Sequence, residues 1–288
     1  MYKVFQALRN SKFYENTIVL FTSDHGELLG AHGGLYQKWY NMYEESIHVP
    51  LIIHSPILFS KREQTKMLTS HVDVLPTLLG LAGIDAEKIQ QKLAQNHIEA
   101  QPLVGRNLSP LVEGNEQFFR ANEPIYFMSD DDITKGLNQT TATGEPYESV
   151  IQPNHIEAII TTLKTGRGGE EEIWKFACYF DNPQFWSNPG CEDTVVTTGE
   201  PMGVPHHKQC SVCVTTTKTT PVSNQFELYN LTKDPLEERN LADPAYATEE
   251  SAIVQQLLAQ SLEEQCQQKR LYPSSGTVAG KPSCSCGE

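Results

Sequence analysis

The 288 residues of this chain are enough for one large domain or two modest ones, and the apolar fraction of 39% is that of an ordinary soluble protein. The formal net charge of −14 disfavours nucleic acid as a partner, because phosphate groups repel an acidic surface. No apolar run reaches the ~20 residues that span a membrane. The amino terminus has no basic segment followed by an apolar core, so no export signal is visible in this chain and its localisation stays open.

The chain begins with a predicted short helix, in which Val4, Phe5 and Leu8 recur at helical spacing. This helix is expected to cover one face of a sheet. The apolar run at residues 18–21 follows, and it suits a strand buried on both faces of a parallel sheet. Ligands of open α/β sheets bind beyond the carboxyl ends of the strands, and this strand ends in Asp24 and His25. Both residues are therefore candidate ligands.

An Asp-His-Gly triplet has a simpler interpretation as an exposed turn. The residues that follow it favour a site instead. A polar, glycine-rich loop carries His32 and then Lys38, and a second buried-strand pattern occupies residues 49–53. The order of strand, polar loop and strand places these side chains at one end of a predicted sheet.

Several motifs in this order together resemble the sulfatase family, within the alkaline-phosphatase superfamily of metal-dependent ester hydrolases. The first is TSDHGE at residues 22–27, followed by GAHG with a lysine shortly after it and by HVPLII at residues 48–53. Three later segments agree with it, at residues 70–83, 104–114 and 226–243. The resemblance implies part of an alkaline-phosphatase-like mixed α/β sheet flanked by helices, followed by a small antiparallel α+β subdomain.

The resemblance also implies roles for individual residues. Asp24 and His25 match the acid and its neighbour that complete the coordination of a divalent cation. Lys38 matches the catalytic lysine that contacts the sulfate or phosphate oxygens, and His32 in the same loop is a second candidate for substrate binding. Lys38 as an ordinary surface lysine is the alternative. A carboxylate favours calcium as the cation, while the imidazole of His25 leaves manganese or zinc open.

One part of the family pattern is missing from this chain. The family nucleophile is a formylglycine made from the cysteine of a Cys-x-Pro-Ser-Arg motif, and none of the seven cysteines here lies in that motif. We therefore expect the chain to be the carboxyl-terminal portion of a sulfatase, with a missing amino-terminal half as a partner and a small anionic sulfate ester as the substrate. Alone, it is expected to be inactive. A phosphonate or phosphate ester hydrolase and a non-catalytic truncated fragment are the alternatives.

Residues 70–83 predict a helix that Asp73 caps, with Pro76 in its first turn and Gly83 after its last. Leu75, Leu78, Leu79 and Leu81 are expected to pack inward. His71 and Asp73 could instead be further ligands, but a capping carboxylate explains Asp73 without a metal. A polar helix is predicted at residues 85–97. The first predicted domain, residues 1–122, is the carboxyl-terminal part of a sulfatase catalytic domain.

The second predicted domain, residues 123–270, combines a small antiparallel sheet with a closing helix. Its strand-like segments are residues 123–129, 155–163, 171–181 and 225–231. A helix at residues 243–270 is expected to bury Ile253, Leu257, Leu258 and Leu262, and residues 271–288 form a tail.

Two groups of residues in the second domain have no role that we can assign from the sequence. The acidic triplet at residues 130–132 is read as a solvated loop, with a weak alternative in substrate specificity. Cys210 and Cys213, with His206 and His207 nearby, allow a zinc site, a disulfide or free thiols.

Overall fold

The structure is a computed structural model that describes residues 1–38, 40–97, 100–112, 123–130, 139–140, 146–147, 153, 155–181, 193–199, 210–217 and 222–271. The described helices are α1 (Tyr2–Arg9), α2 (Ala31–Gly34), α3 (Glu44–Ile47), α4 (Val74–Leu81), α5 (Ala86–Leu93), α6 (Ser109–Val112) and α7 (Glu249–Lys269). The described strands are β1 (Val19–Phe21), β2 (Ile52–His54), β3 (Ile125–Asp130), β4 (Gln139–Thr140), β5 (Pro146–Tyr147), β6 (His155–Leu163), β7 (Glu172–Phe180), β8 (Asp193–Gly199), β9 (Cys210–Thr217) and β10 (Gln225–Asn230). The mixture of helices and sheets confirms the predicted α/β class.

The chain divides into two compact units. The first comprises Met1–Ile125, Thr161–Ile173 and Asn230–Glu238, and the second comprises Tyr126–Ile160, Trp174–Tyr229 and Arg239–Glu288. The domain limits expected from the sequence, residues 1–122, 123–270 and 271–288, stay predictions.

The strand that precedes the Asp-His pair differs from its prediction. β1 pairs with β2 in an antiparallel register that sets Val19 opposite His54 and Phe21 opposite Ile52. The strand residues of β1 are half-buried rather than enclosed on both faces. The expectation of a doubly covered parallel strand is therefore wrong for this chain, because the loop after β1 brings the chain back beside it to form β2, and the two strands make a two-stranded sheet.

Helix α1 contacts the end of β2 through one aromatic group. The ring of Phe5 lies edge-on to His54 at 5.5 Å between centroids, and the Tyr14 hydroxyl hydrogen-bonds the Nε2 atom of His54 at 2.9 Å. The predicted helix is confirmed, although Val4, which shares its apolar pattern, is exposed.

Helix α4 forms where the sequence predicts it, but its capping and its buried side differ. Ser70 and Asp73 form a capping box around a 3₁₀ turn, so Asp73 lies inside the first turn while Ser70 is the capping residue. Gly83 follows the helix with a φ of 70°, as predicted. Leu75 is exposed, and the buried residues of α4 are Pro76 and Thr77, so the prediction that Leu75 packs inward is wrong.

The four strands predicted for the small sheet all occur, in the spatial order β10, β7, β6, β3. Residues 155–161 of β6 and nearly all of β7 are buried, and the buried residues include the charged Glu157 and Lys175. Cys178 in β7 and Cys266 in α7 are both fully buried, and each is disulfide-bonded.

Helix α7 begins after Thr248, whose hydroxyl accepts a hydrogen bond from the Ser251 amide at 3.0 Å. Its buried row is Val254, Leu258 and Leu262, whereas Ile253 and Leu257 are exposed. The prediction that Ile253 and Leu257 pack inward is therefore wrong. Within the described residues, we find no helix with the length and apolarity needed to cross a membrane.

Candidate functional site

The turn that follows β1 carries Asp24 and His25, and a close approach to α3 fixes its path. The Gly26 amide donates a hydrogen bond to the Ser46 carbonyl at 2.8 Å. A Cβ atom at position 26 would lie 1.9 Å from the carbonyl oxygen of Glu45. Only glycine fits at this position. Gly26 therefore allows the chain to bend and also lets the turn pack closely against α3.

Asp24, His25 and Lys38 lie together in one group. The Nε2 atom of His25 is 3.3 Å from Oδ2 of Asp24 and forms a short contact with the Nζ atom of Lys38. His25 Nδ1 lies 2.8 Å from the Gly26 carbonyl oxygen. A carbonyl only accepts, so Nδ1 must carry the proton and donate it, which leaves a lone pair on Nε2 in the neutral ring.

The carboxylate of Asp24 is exposed to solvent and accepts hydrogen bonds from neighbouring residues. The His25 amide donates to Oδ1 at 3.0 Å, and the Ser23 hydroxyl donates to the same oxygen at 3.3 Å. The hydrogen bond from the His25 amide, supported by the one from the Ser23 hydroxyl, holds the pKa of Asp24 below its usual range. Asp24 is therefore ionised at neutral pH and offers oxygen lone pairs to solvent or to a cation.

Lys38 is brought to this pair by its loop. The Lys38 amide donates to Oε1 of Glu27 at 2.8 Å, and the hydrogen bonds from Leu29 to Tyr36 and from Gly30 to Leu35 close the loop between them. Glu27 is part of the TSDHGE motif, but its role in holding Lys38 was not predicted from the sequence. The position of Glu27 within that motif is the sequence feature from which its role could have been inferred.

The arrangement of Asp24 and His25 fits part of a divalent-cation site. An ionised carboxylate and an imidazole Nε2 with its lone pair available are suitable ligands, and the hydrogen bond from Nδ1 to a backbone carbonyl is the usual support for a metal-binding histidine. The ammonium of Lys38 contacts the same Nε2 atom. Two ligands do not complete a coordination sphere, so further ligands would have to come from other residues.

His32 lies in a different environment from the other three predicted site residues. Its ring stacks on Tyr43 with 3.6 Å between centroids, and its Nε2 atom is 2.9 Å from Oε2 of Glu45. Only 10% of its side chain is exposed. Substrate binding by His32 stays a prediction, and the contacts described for this ring are to protein side chains.

His32, Glu45 and Glu237 form a group of potential metal ligands, with one atom from each residue lying within 4.8 Å of the others. Glu237 also accepts a hydrogen bond from the Glu44 amide at 2.7 Å. Neither glutamate was singled out from the sequence. Glu237 is separated from this loop by almost 200 residues, so no local pattern could have linked it to His32.

The alternative ligands His71 and Asp73 both contact other protein groups. The buried carboxylate of Asp73 accepts from the Ser70 amide at 3.0 Å, from the Arg106 amide at 2.7 Å and from the Arg106 guanidinium at 2.8 Å. These bonds support the structural interpretation of Asp73. His71 is exposed, with its Nε2 atom 3.5 Å from the Thr22 hydroxyl.

Two of the open interpretations fall outside the part of the chain that the structure describes. Residues 131–132 of the acidic triplet, together with His206 and His207, are not among the described residues. For Cys210 and Cys213 the backbone is described as part of β9, but the side chains are not. The zinc, disulfide and specificity interpretations therefore stay predictions.

Comparison with known proteins gives sulfatases as relatives. Residues 1–84 match the family model described as Sulfatase. Over 155 residues the chain is 47% identical to the uncharacterized sulfatase YidJ of Escherichia coli (strain K12), which covers 52% of this chain and 29% of YidJ. Arylsulfatase K of Danio rerio is 44% identical over 141 residues, covering 49% of this chain and 23% of that protein. The chain thus spans less than a third of these curated relatives.

The fold also resembles a solved structure, that of BT4656 in complex with its substrate D-glucosamine-2-N,6-O-disulfate. The TM-score is 0.55 at 21% sequence identity, and the match covers 93% of this chain and 37% of that one. The segment that carries Asp24, His25 and Lys38 lies within the residues that match the family model. Through residues 1–84, this chain is similar to sulfatases.

Proposed function

We propose that this chain supplies cation ligands and the sulfate-contacting lysine of a sulfuric ester hydrolase. The observation that carries the proposal is the contact of Lys38 Nζ with His25 Nε2, directly beside the Asp24 carboxylate. A cation-binding pair and an ammonium at one point suit a sulfate group, because its oxygens carry negative charge. The substrate of BT4656, a sulfated sugar, is an example of a compound with such groups.

Each residue has a distinct part in this proposal. Asp24, ionised because hydrogen bonds lower its pKa, and His25, oriented by its bond to the Gly26 carbonyl, would hold a divalent cation. Calcium is the cation that we propose, since a carboxylate is a hard ligand; manganese and zinc also accept this donor pair. Such a cation, when bound, would polarise the ester and offset the charge of the sulfate.

Lys38 would act on the substrate itself. Its ammonium is a compact charge on a flexible stem, and it can exchange its contact with His25 for a sulfate oxygen. Negative charge that develops on the transferring group would then be stabilised by this ammonium, and the hydrogen bond from the Lys38 backbone amide to Glu27 keeps the residue near the site. No cysteine of this chain lies in a Cys-x-Pro-Ser-Arg motif. We therefore expect the nucleophile to come from a separate segment.

Exposed apolar side chains around the strand pair support association with such a segment. Three apolar side chains here are each more than half exposed: Ile52 in β2, Ile57 just after β2, and Val4 in α1. Apolar surface of this kind beside a two-stranded sheet favours contact with another polypeptide. The partner that we propose is the nucleophile-bearing half of a sulfatase.

Calcium binding and turnover test the proposal separately. Isothermal titration with calcium should detect a site in the 288-residue chain that Asp24→Asn weakens at least tenfold, whereas Asp85→Asn, at an exposed helix cap, leaves it unchanged. The chain alone should hydrolyse no aryl sulfate. Turnover that disappears in Asp24→Ala would contradict the expected lack of a nucleophile, and equal calcium affinity in Asp24→Asn would contradict the ligand assignment.

A further inference from the structure

Three side chains that the proposed reaction does not use as cation ligands meet in the first compact unit. His32 comes from α2, Glu45 from α3 and Glu237 from the segment after β10, and one ligand atom of each lies within 4.8 Å of the other two. His32 Nε2 and Glu45 Oε2 are 2.9 Å apart. Two chain segments far apart in sequence thus present one nitrogen and two carboxylate groups to a common point.

The three side chains are held in position from outside the group. The His32 ring stacks on Tyr43 with an angle of 10° between the planes. The Glu44 amide donates to Oε2 of Glu237 at 2.7 Å, which fixes the direction of that buried carboxylate. One third of the Glu45 side chain is exposed, so an ion could reach the group from solvent on that side. Ligands that are fixed beforehand lose little freedom when they bind an ion.

A divalent cation would suit the charges of the group. Two ionised carboxylates carry two negative charges, and an imidazolium supplies at most one positive charge among the three side chains. Two carboxylates close together, one of them buried, repel each other more strongly than they would in water. A divalent cation with a neutral imidazole would neutralise both.

We propose that His32, Glu45 and Glu237 bind a divalent cation of the zinc class, at a site that shares no ligand with Asp24 and His25. Imidazole nitrogen with carboxylate oxygen suits zinc better than calcium, which prefers oxygen alone. Three protein ligands leave a position of a tetrahedral zinc ion open to water or another small ligand.

The experiment uses the metal-stripped 288-residue chain and two probes, zinc by isothermal titration and cobalt(II) by its visible absorption. We expect a zinc site in the wild type that persists in Asp24→Ala, because that residue is not a ligand of this group. His32→Asn should weaken zinc binding at least tenfold. Asparagine is chosen because residue 32 has a φ of 49°, a conformation that asparagine tolerates. The matched control is His97→Asn, at an exposed position, and it should leave zinc binding unchanged.

A second variant tests the site independently, in case His32→Asn fails to fold. Glu237→Gln keeps an oxygen that can accept the bond from the Glu44 amide but removes the charge, and it should also weaken zinc binding at least tenfold. Equal zinc affinity in wild type and His32→Asn, or binding that is lost in Asp24→Ala, would overturn the proposal. If neither variant folds, the NMR spectrum of the wild-type histidines provides the test. Zinc that does not shift the ring resonances of His32 would overturn the proposal. Calcium binding at Asp24 is a separate result, so the proposed function and this site can fail independently.

Discussion

Replacement of Asp73 by alanine should be among the most destabilising single changes in the first compact unit. Asp73 is only 2% exposed, and its carboxylate receives two backbone amides and the guanidinium of Arg106. This network joins the turn before α4 to the chain at residue 106. Alanine would leave both amides without this acceptor, and the Arg106 guanidinium would keep its hydrogen bond to the Leu68 carbonyl but lose its ionic partner.

The size of the effect follows from these contacts. Loss of one partner from a buried ion pair costs about 3–5 kcal/mol. The Arg106 side chain is 16% exposed, so water can reach part of it, and we expect a cost near the lower end, about 3 kcal/mol. Asp85 is the matched control, since it also caps a helix but is largely exposed. Asp85→Ala should cost clearly less than Asp73→Ala, because Asp85 is an exposed N-cap residue.

Urea unfolding followed by circular dichroism measures both variants, and amide hydrogen exchange in α4 reports the local effect. A cost for Asp73→Ala no greater than that for Asp85→Ala would refute the structural role of the Asp73 network. If Asp73 were instead a metal ligand, Asp73→Ala would reduce cation affinity while folding stability in metal-free buffer changed little.

Three further predictions concern packing and pH. Gly26→Ala should cost about 2 kcal/mol or more in urea unfolding, because the added Cβ meets a backbone carbonyl, and a cost below about 1 kcal/mol would contradict the steric account. Leu258→Ala, in the buried row of α7, should cost about 2–5 kcal/mol, while the exposed Ile253→Ala should stay within about 0.5 kcal/mol; the reverse order would mean that α7 is rotated. Burial raises the pKa of Glu172, but hydrogen bonds from Lys233, Thr165 and Asn230 outweigh burial and hold the pKa below its usual value. Glu172 therefore stabilises the fold fully above about pH 4.3, and this contribution is lost as pH falls through the lower folded pKa. Glu172→Gln should abolish this part of the pH dependence in denaturation curves, and an unchanged profile would contradict it.

Local sequence patterns predicted much of the site. Asp24 and His25 follow a strand directly, and Lys38 lies in the loop after it, so their proximity depends on a short stretch of chain. His32 belongs to the same loop, yet its ring stacks on Tyr43 and its Nε2 meets Glu45. The positive φ of His32 turns it in a direction that spacing does not reveal.

Other features required the tertiary structure. The apolar residues of α7 form two adjacent rows along the helix, and the sequence does not show whether Leu258 lies in the buried row with Val254 or with Leu257. The partner of β1 was predicted incorrectly, because an apolar run indicates a strand but does not determine the direction of its neighbour. The contact of Glu237 with α3 joins residues 193 positions apart in the chain, which no local pattern predicts.

The most direct test of the proposed function is aryl sulfate hydrolysis by the native gene product, isolated from its source together with any polypeptide that copurifies, in wild type and in Lys38→Ala. We expect hydrolysis in a preparation that contains a Cys-x-Pro-Ser-Arg segment, and a loss of at least a hundredfold in kcat when Lys38 is replaced, since its ammonium would stabilise the transition state. Lys12→Ala, at an exposed lysine, should leave kcat unchanged. Hydrolysis that persists undiminished in Lys38→Ala would contradict the role of this lysine and the proposed function of the chain.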